Sequence, residues 1–236
     1  MRTKKYRLWA AAALALTVTG FSACLKSDNP EPSRPKVNYV FLNASTYAPG
    51  IDIYNNGTKL TTNAPFKIGQ YSDYYTFRGT QEFIFKKGGA DSTLGSIVAT
   101  FDSLQIYTIV MYGEQPQFRA VRNDFTNADG SKLNVRFYQL SPNSGPVDFY
   151  LDGKKIDSSH YYDGNQLRSD FTALNPGNFG TSKLTVKVAG QDSVLAETTS
   201  PKWSFQTGGV YTIYYIGLRG ATGDNAPAVN NVISYF

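Results

Sequence analysis

The chain is 236 residues long, 41% hydrophobic and 17% charged, with one cysteine and one histidine. A single Cys allows no internal disulfide, and one Cys with one His excludes the usual zinc ligand sets. The formal charge of +5 sits almost wholly at Arg2, Lys4, Lys5 and Arg7; without them 19 basic residues face 18 acidic ones, so no basic surface for nucleic acid is expected.

Those four cations form the n-region of an export signal, Leu8 to Val18 is its apolar run, and Phe21-Ser22-Ala23-Cys24 ends it. Small residues directly before the Cys resemble a lipobox, with Phe21 in place of the usual Leu. Thr17, Thr19, Gly20 and Ser22 interrupt the run before it reaches the roughly 20 apolar residues of a membrane span. Residues 1–23 are thus expected to be a lipoprotein signal peptide, and Cys24 the lipidated residue that holds the chain to the membrane. Residues 24–36 read as a Pro-rich tether, in which Pro30, Pro32 and Pro35 favour extended polyproline backbone. Asp28 and Glu31 make Lys26-Ser27-Asp28 a partial match to the acidic signal that resembles a surface-export mark in Bacteroidetes-type lipoproteins. The expected location is the outer membrane, on its periplasmic face or at the cell surface.

The mature chain is organised by a repeat. Val37 to Leu60, VNYVFLNASTYAPGIDIYNNGTKL, aligns without a gap to Leu133 to Ile156, LNVRFYQLSPNSGPVDFYLDGKKI. Asn38, Phe41, Ser45, Asp52, Tyr54, Gly57 and Lys59 meet identical residues at Asn134, Phe137, Ser141, Asp148, Tyr150, Gly153 and Lys155. Further on, Asp91-Ser92 matches Asp192-Ser193, and Tyr107-Thr108-Ile109 with Gly113 matches Tyr211-Thr212-Ile213 with Gly217. In Ile51 to Tyr54 and Val147 to Tyr150 apolar and polar positions alternate, as in a half-buried strand, and Asn56-Gly57 and Asp152-Gly153 then suit a type I′ hairpin turn.

Repeat one, residues 37–125, offers strands at Val37–Asn43, Ile51–Tyr54, Ser72–Phe77, Glu82–Lys86, Ser96–Phe101, Ile106–Tyr112 and Phe118–Arg122. Repeat two, residues 132–236, offers Leu133–Gln139, Val147–Leu151, Ser169–Thr172, Lys183–Val188, Val194–Thr198, Val210–Gly217 and Val229–Phe236. No helical period is sustained. Short strands punctuated by turn residues argue for an all-β chain: two tandem antiparallel β-sandwich (immunoglobulin-like) domains after the signal peptide. Thr126 to Gly130 is a short boundary, so the modules are expected to touch, and each holds a full strand set of its own.

The strand with N-A-S or L-S-P, the I/V-D-I/F-Y strand with its N/D-G turn, and the late YT-I-x-x-x-G resemble the bacterial domain of unknown function 4397 over nearly all of Val37 to Phe236. The resemblance implies tandem β modules on a secreted or lipid-anchored protein, and brings no catalytic residue with it.

Candidate chemistry is sparse. His160 lies beside Ser158 and Ser159, and neighbours in sequence rarely supply the geometry of a triad, so it reads as a surface-loop residue. Asp52 and Asp148 read as groups that bridge backbone beside the hairpin. Tyr71, Tyr74, Tyr75, Tyr161 and Tyr162 fall beside turns, where tyrosine rings stack on sugar faces or anchor a partner. Asp91-Ser92, Asp102-Ser103 and Asp192-Ser193 resemble O-glycosylation sites of exported Bacteroidetes-type proteins, which makes Ser92, Ser103 and Ser193 candidates, while Asp-Ser is also an ordinary turn dipeptide.

These residues point to a lipid-anchored, non-catalytic binding or structural module of the cell envelope, with no enzyme activity and no cofactor or metal. Its expected partners are the membrane, through Cys24, and a glycan or envelope protein. A carbohydrate-binding lipoprotein of a glycan-uptake system would need exposed coplanar aromatics. A hydrolase would need Asp170 and Glu197 paired across a cleft.

Overall fold

The computed structural model describes residues 35–47, 49–164, 166–175, 182–200 and 205–234. The expected signal peptide, Cys24 and all of the tether before Pro35 lie outside them. Residues 35–236 form one compact unit.

Sixteen strands are described, and no α-helix among the described residues. In repeat one β1 (Lys36–Ser45) runs in a sheet of order β4-β1-β7-β8, with β4 (Tyr71–Phe77), β7 (Ile106–Gly113) and β8 (Gln117–Arg122). The other sheet has the order β3-β2-β5-β6, from β2 (Ile51–Asn55), β3 (Thr58–Lys59), β5 (Gly79–Lys87) and β6 (Thr93–Phe101). Repeat two copies both. Its β12-β9-β15-β16 sheet comprises β9 (Leu133–Gln139), β12 (Thr172–Leu174), β15 (Val210–Ile216) and β16 (Ala228–Ile233). Its β11-β10-β13-β14 sheet comprises β10 (Val147–Leu151), β11 (Lys154–His160), β13 (Ser182–Val188) and β14 (Val194–Ser200).

The hairpin turns form as their dipeptides dictate. Asn56 and Gly57 take φ of 45° and 82°, and Asp152 and Gly153 take 50° and 79°, the positive pair that a type I′ turn requires. The buried aspartates lock both hairpins. Asp52 accepts hydrogen bonds from Lys59 Nζ at 2.9 Å, Thr61 Oγ1 at 2.8 Å and the Gly89 N–H at 3.0 Å. Asp148 accepts from Lys155 Nζ at 2.6 Å and from the N–H groups of Ser159 and Gly190 at 2.9 and 3.2 Å.

Two expectations are corrected. The sheets are mixed and not wholly antiparallel: β1 pairs with β7, and β9 with β15, in parallel. In each repeat the intervening chain passes through the opposite sheet before returning, which gives it the length a parallel crossover needs. The strand expected at Ser169–Thr172 begins instead at Thr172. The Ser169 carbonyl is taken by Arg136 Nη1 and the Asp124 N–H, and Phe171 stacks on Phe125 at 5.5 Å, so this stretch belongs to the wall between the repeats.

Three cores result. The first lies between the sheets of repeat one, where Tyr39, Phe41, Phe83, Phe101 and Tyr107 interlock edge-to-face, Tyr39 on Phe101 at 5.1 Å and Phe101 on Tyr107 at 4.8 Å. Such pairs add about 1 kcal/mol each beyond area burial. The second lies within repeat two and includes Phe137 stacked on Phe149 at 4.7 Å. The third joins the repeats: Val40, Leu42, Ala44, Val110 and Tyr112 from one meet Tyr138, Leu140, Tyr214, Ile216 and Val232 from the other. Strands β9 and β15 are consequently buried on both faces.

The third core is nearly self-complementary. Leu42 and Tyr138, Ala44 and Leu140, Val110 and Tyr214, and Tyr112 and Ile216 occupy equivalent positions of the aligned repeats, so each repeat presents the same face to the other, as the subunits of a symmetric dimer do. At the equivalent of Val40 stands Arg136, 2% exposed. Its five N–H groups are matched: Nε donates to Thr212 Oγ1 at 2.9 Å, Nη2 to Thr108 Oγ1 at 2.8 Å and Asn123 Oδ1 at 2.9 Å, and Nη1 to the Arg168 and Ser169 carbonyls. Thr108 and Thr212 are themselves repeat equivalents, so one guanidinium ties the two copies of the same threonine together. The ring of Phe171 flanks it at 4.6 Å.

Candidate functional site

The five tyrosines are not gathered into one patch. Tyr74 and Tyr75 sit in β4, an edge strand, at a groove of about 410 Å³ that also includes Asn38, Asp73 and Ile106. The Tyr74 ring rests 6.5 Å from Tyr39 and 6.1 Å from Phe41 on the rim of the first core. Tyr75 is 58% exposed, and its ring lies 6.4 Å from Tyr74 at an interplanar angle of 18°. Lys36 Nζ stands 4.1 Å from the Tyr75 centroid. Tyr71, at the other end of β4, packs half-buried against the third core and lines a separate hollow of about 460 Å³ with Phe66 and Gln70.

Tyr161 and Tyr162 follow β11 and diverge. Tyr161 is 72% exposed. Tyr162 packs against the third core and lines a second hollow, a cleft of about 520 Å³ that also holds Tyr112, Gln115 and Gln117 of repeat one and Asp163 and Gln166 of repeat two. Burial, with Tyr112 and Asp163 nearby, pushes its hydroxyl pKa up to about 12, so it stays a donor. The amides here were missed in the sequence because a turn rich in Gln, Pro and Gly reads as ordinary solvated loop.

The surface-loop reading of His160 is corrected. It ends β11, half-buried, its ring edge-on to Phe137 at 5.3 Å. Nδ1 meets Asp157 Oδ2 at 2.7 Å and Nε2 meets Asp163 Oδ2 at 3.0 Å. Burial opposes the charged ring, but the two carboxylates outweigh it and raise its pKa to about 9. With both nitrogens engaged, the ring carries a structural charge.

Asp170 and Glu197 stand apart. Asp170 is held by Arg168 through two bonds at 3.2 and 3.0 Å, near β12, while Glu197 lies in β14 of the other sheet, paired with Lys183 at 2.8 Å. Each cation keeps its carboxyl below the usual range, opposite to what a general acid needs. Ser92 and Ser193 are exposed in equivalent turns, and Ser103 is half-buried beside Leu104, which is 92% exposed.

Residues 38–150 match the family model described as a domain of unknown function, DUF4397. The DUF4397 match thus covers repeat one and the opening strands of repeat two, ending at Tyr150, the equivalent of Tyr54. No curated protein matches the chain. Among solved structures, a streptococcal family 41 carbohydrate-binding module described for alpha-glucan recognition aligns at 9% identity over 82% of this chain and 96% of its own, with a TM-score of 0.27. A family 26 module of Eubacterium rectale in complex with maltoheptaose aligns at 10% identity over 84% and 95%, with a TM-score of 0.24. Scores this low establish no correspondence from which a ligand could be transferred.

Proposed function

We propose that this chain is a non-catalytic binding module of the cell envelope, lipid-anchored at Cys24 in the outer membrane, whose two immunoglobulin-like sandwiches form one platform and whose ligand is a glycan. The observation that carries the reading is the Tyr74–Tyr75 pair: two rings within 18° of parallel, one of them largely exposed, beside a groove on an edge strand. Aromatic faces bury sugar C–H surface at little entropic cost, and Lys36 adds a donor for a hydroxyl. A structural module needs no exposed ring there.

The test is a glycan array with soluble protein, residues 35–236, followed by Tyr75→Ala on any hit. Removal of an anchoring ring is expected to weaken binding about 30-fold, with little effect of salt since the mature chain is nearly neutral. No hit would leave the purely structural reading, and a hit indifferent to Tyr75→Ala would remove the Tyr74–Tyr75 groove as its site. Anchoring is tested separately: Cys24→Ser is expected to accumulate as precursor without labelled palmitate, and equal labelling would refute it.

A further inference from the structure

We propose that the cleft between the repeats is a second binding site, one that takes a neutral sugar ring by hydrogen bonding. It extends the glycan reading to another part of the molecule, and the two sites fail separately under mutation.

The cleft belongs to neither repeat alone. Tyr112 lies near the end of β7, Gln115 in the turn, and Gln117 opens β8; across from them stand Tyr162, Asp163 and Gln166 in the segment after β11. Its volume of about 520 Å³ falls within the range of small-ligand pockets, about 300–1,000 Å³. The third core fixes Tyr112 and Tyr162, so that part of the lining is held before any ligand arrives, while Gln115, Gln117 and Gln166 are exposed at the cleft.

The lining selects the chemistry. A carboxamide offers a donor and an acceptor on one planar group, which is what a sugar hydroxyl presents in return, and three residues with such amides line the cleft together with Tyr112 and Tyr162. Among the described residues no Lys or Arg lines the cleft, so the described lining holds no cation to recruit an anion. Among the described lining residues the charged group is Asp163, which is buried and held from behind: its Oδ2 accepts from His160 Nε2 at 3.0 Å, a ring it shares with Asp157, and from the Gln139 N–H at 2.6 Å. A carboxylate fixed in this way gives a hydroxyl donor a charge-assisted acceptor. Gly164 completes the wall. At φ of 40° it lets the chain turn beneath Tyr162, whose ring a Cβ there would meet at 3.0 Å.

The experiment is an NMR titration of residues 35–236 with neutral gluco-, manno-, galacto- and xylo-oligosaccharides, reading the side-chain amide signals of Gln115, Gln117 and Gln166. At least one series is expected to shift these signals saturably. Gln117→Leu and Gln166→Leu are each expected to weaken that binding at least ~10-fold, at unchanged melting temperature, and Tyr75→Ala to leave it intact. Should either leucine variant prove unstable, Gln115→Ala serves as the same probe. Absence of amide shifts with every neutral series, affinity unchanged in the glutamine variants, or tighter binding of uronic-acid oligosaccharides than of neutral ones would overturn the proposal. Loss of array binding in Tyr75→Ala with the amide shifts retained would support it, as a site distinct from the tyrosine groove.

Discussion

Arg136 of β9 donates from Nη2 to Asn123 Oδ1, 2.9 Å away, across the boundary between the repeats. Asn123 directly follows β8, and its Oδ1 also accepts from Thr108 Oγ1 at 3.0 Å. A buried guanidinium with no carboxylate bonded to it is supportable only because every N–H has a neutral acceptor; burial nonetheless lowers its pKa. Arg136, which helps to join the repeats, is therefore costly to leave unmatched.

Substituting Arg136→Met should accordingly cost ~2 kcal/mol, since carbonyl and hydroxyl acceptors lose their donors in a dry site. Arg136→Lys should not rescue it, because an ammonium cannot reproduce the planar five-donor fork. Urea denaturation of residues 35–236 measures this, with a lower midpoint and an unchanged slope expected for both variants.

Separating the repeats should give unequal fragments. Residues 35–125 would expose Val40, Leu42, Ala44, Val110 and Tyr112, a face already shaped to meet its own equivalent, and should dimerise. Residues 132–236 would leave the buried Arg136 without its acceptors Thr108 and Asn123, so they should remain monomeric and melt below the intact chain. Sedimentation velocity of the two fragments decides it.

The equivalent aspartates should behave alike. Asp52→Asn and Asp148→Asn each replace a buried carboxylate, 1% exposed, that accepts three hydrogen bonds. Each should cost about 1–3 kcal/mol. Burial works against both carboxylates, but Lys59 and Lys155 with the backbone donors lower their pKa values. Their contribution is present above the ordinary carboxylate range and lost as pH falls through the depressed folded values. The double variant should therefore show a flatter acid limb in a pH series of melting curves.

His160 gives the opposite sign. Its folded pKa of about 9 exceeds its ordinary 6.5, so its pairing with Asp157 and Asp163 stabilises fully below about pH 6.5 and is lost as pH rises through 9. After discounting for the solvent-exposed part of the ring, the loss should be about 2 kcal/mol. His160→Gln should remove most of that alkaline slope, measured by denaturation at pH 6, 7.5 and 9.5.

What the sequence by itself determined was local and periodic. The gapless repeat, the paired positive-φ dipeptides at Asn56-Gly57 and Asp152-Gly153, and the alternation around Asp52 and Asp148 follow from backbone preference and side-chain period within a few residues, and the hairpins formed as those rules require. Tertiary structure decided what meets across the gap. Ile106 to Tyr112 is apolar on both faces, which signals double burial but not its partner; nothing in the neighbours of Arg136 marks it as buried; and Gln115, Gln117 and Gln166 lie outside the expected strands. Each gains its role from a residue far away in the chain, Arg136 from Thr108 and Tyr162 from Tyr112. The energy of such contacts depends on desolvation and on matched geometry between separate sheets, quantities that no window of neighbouring residues contains.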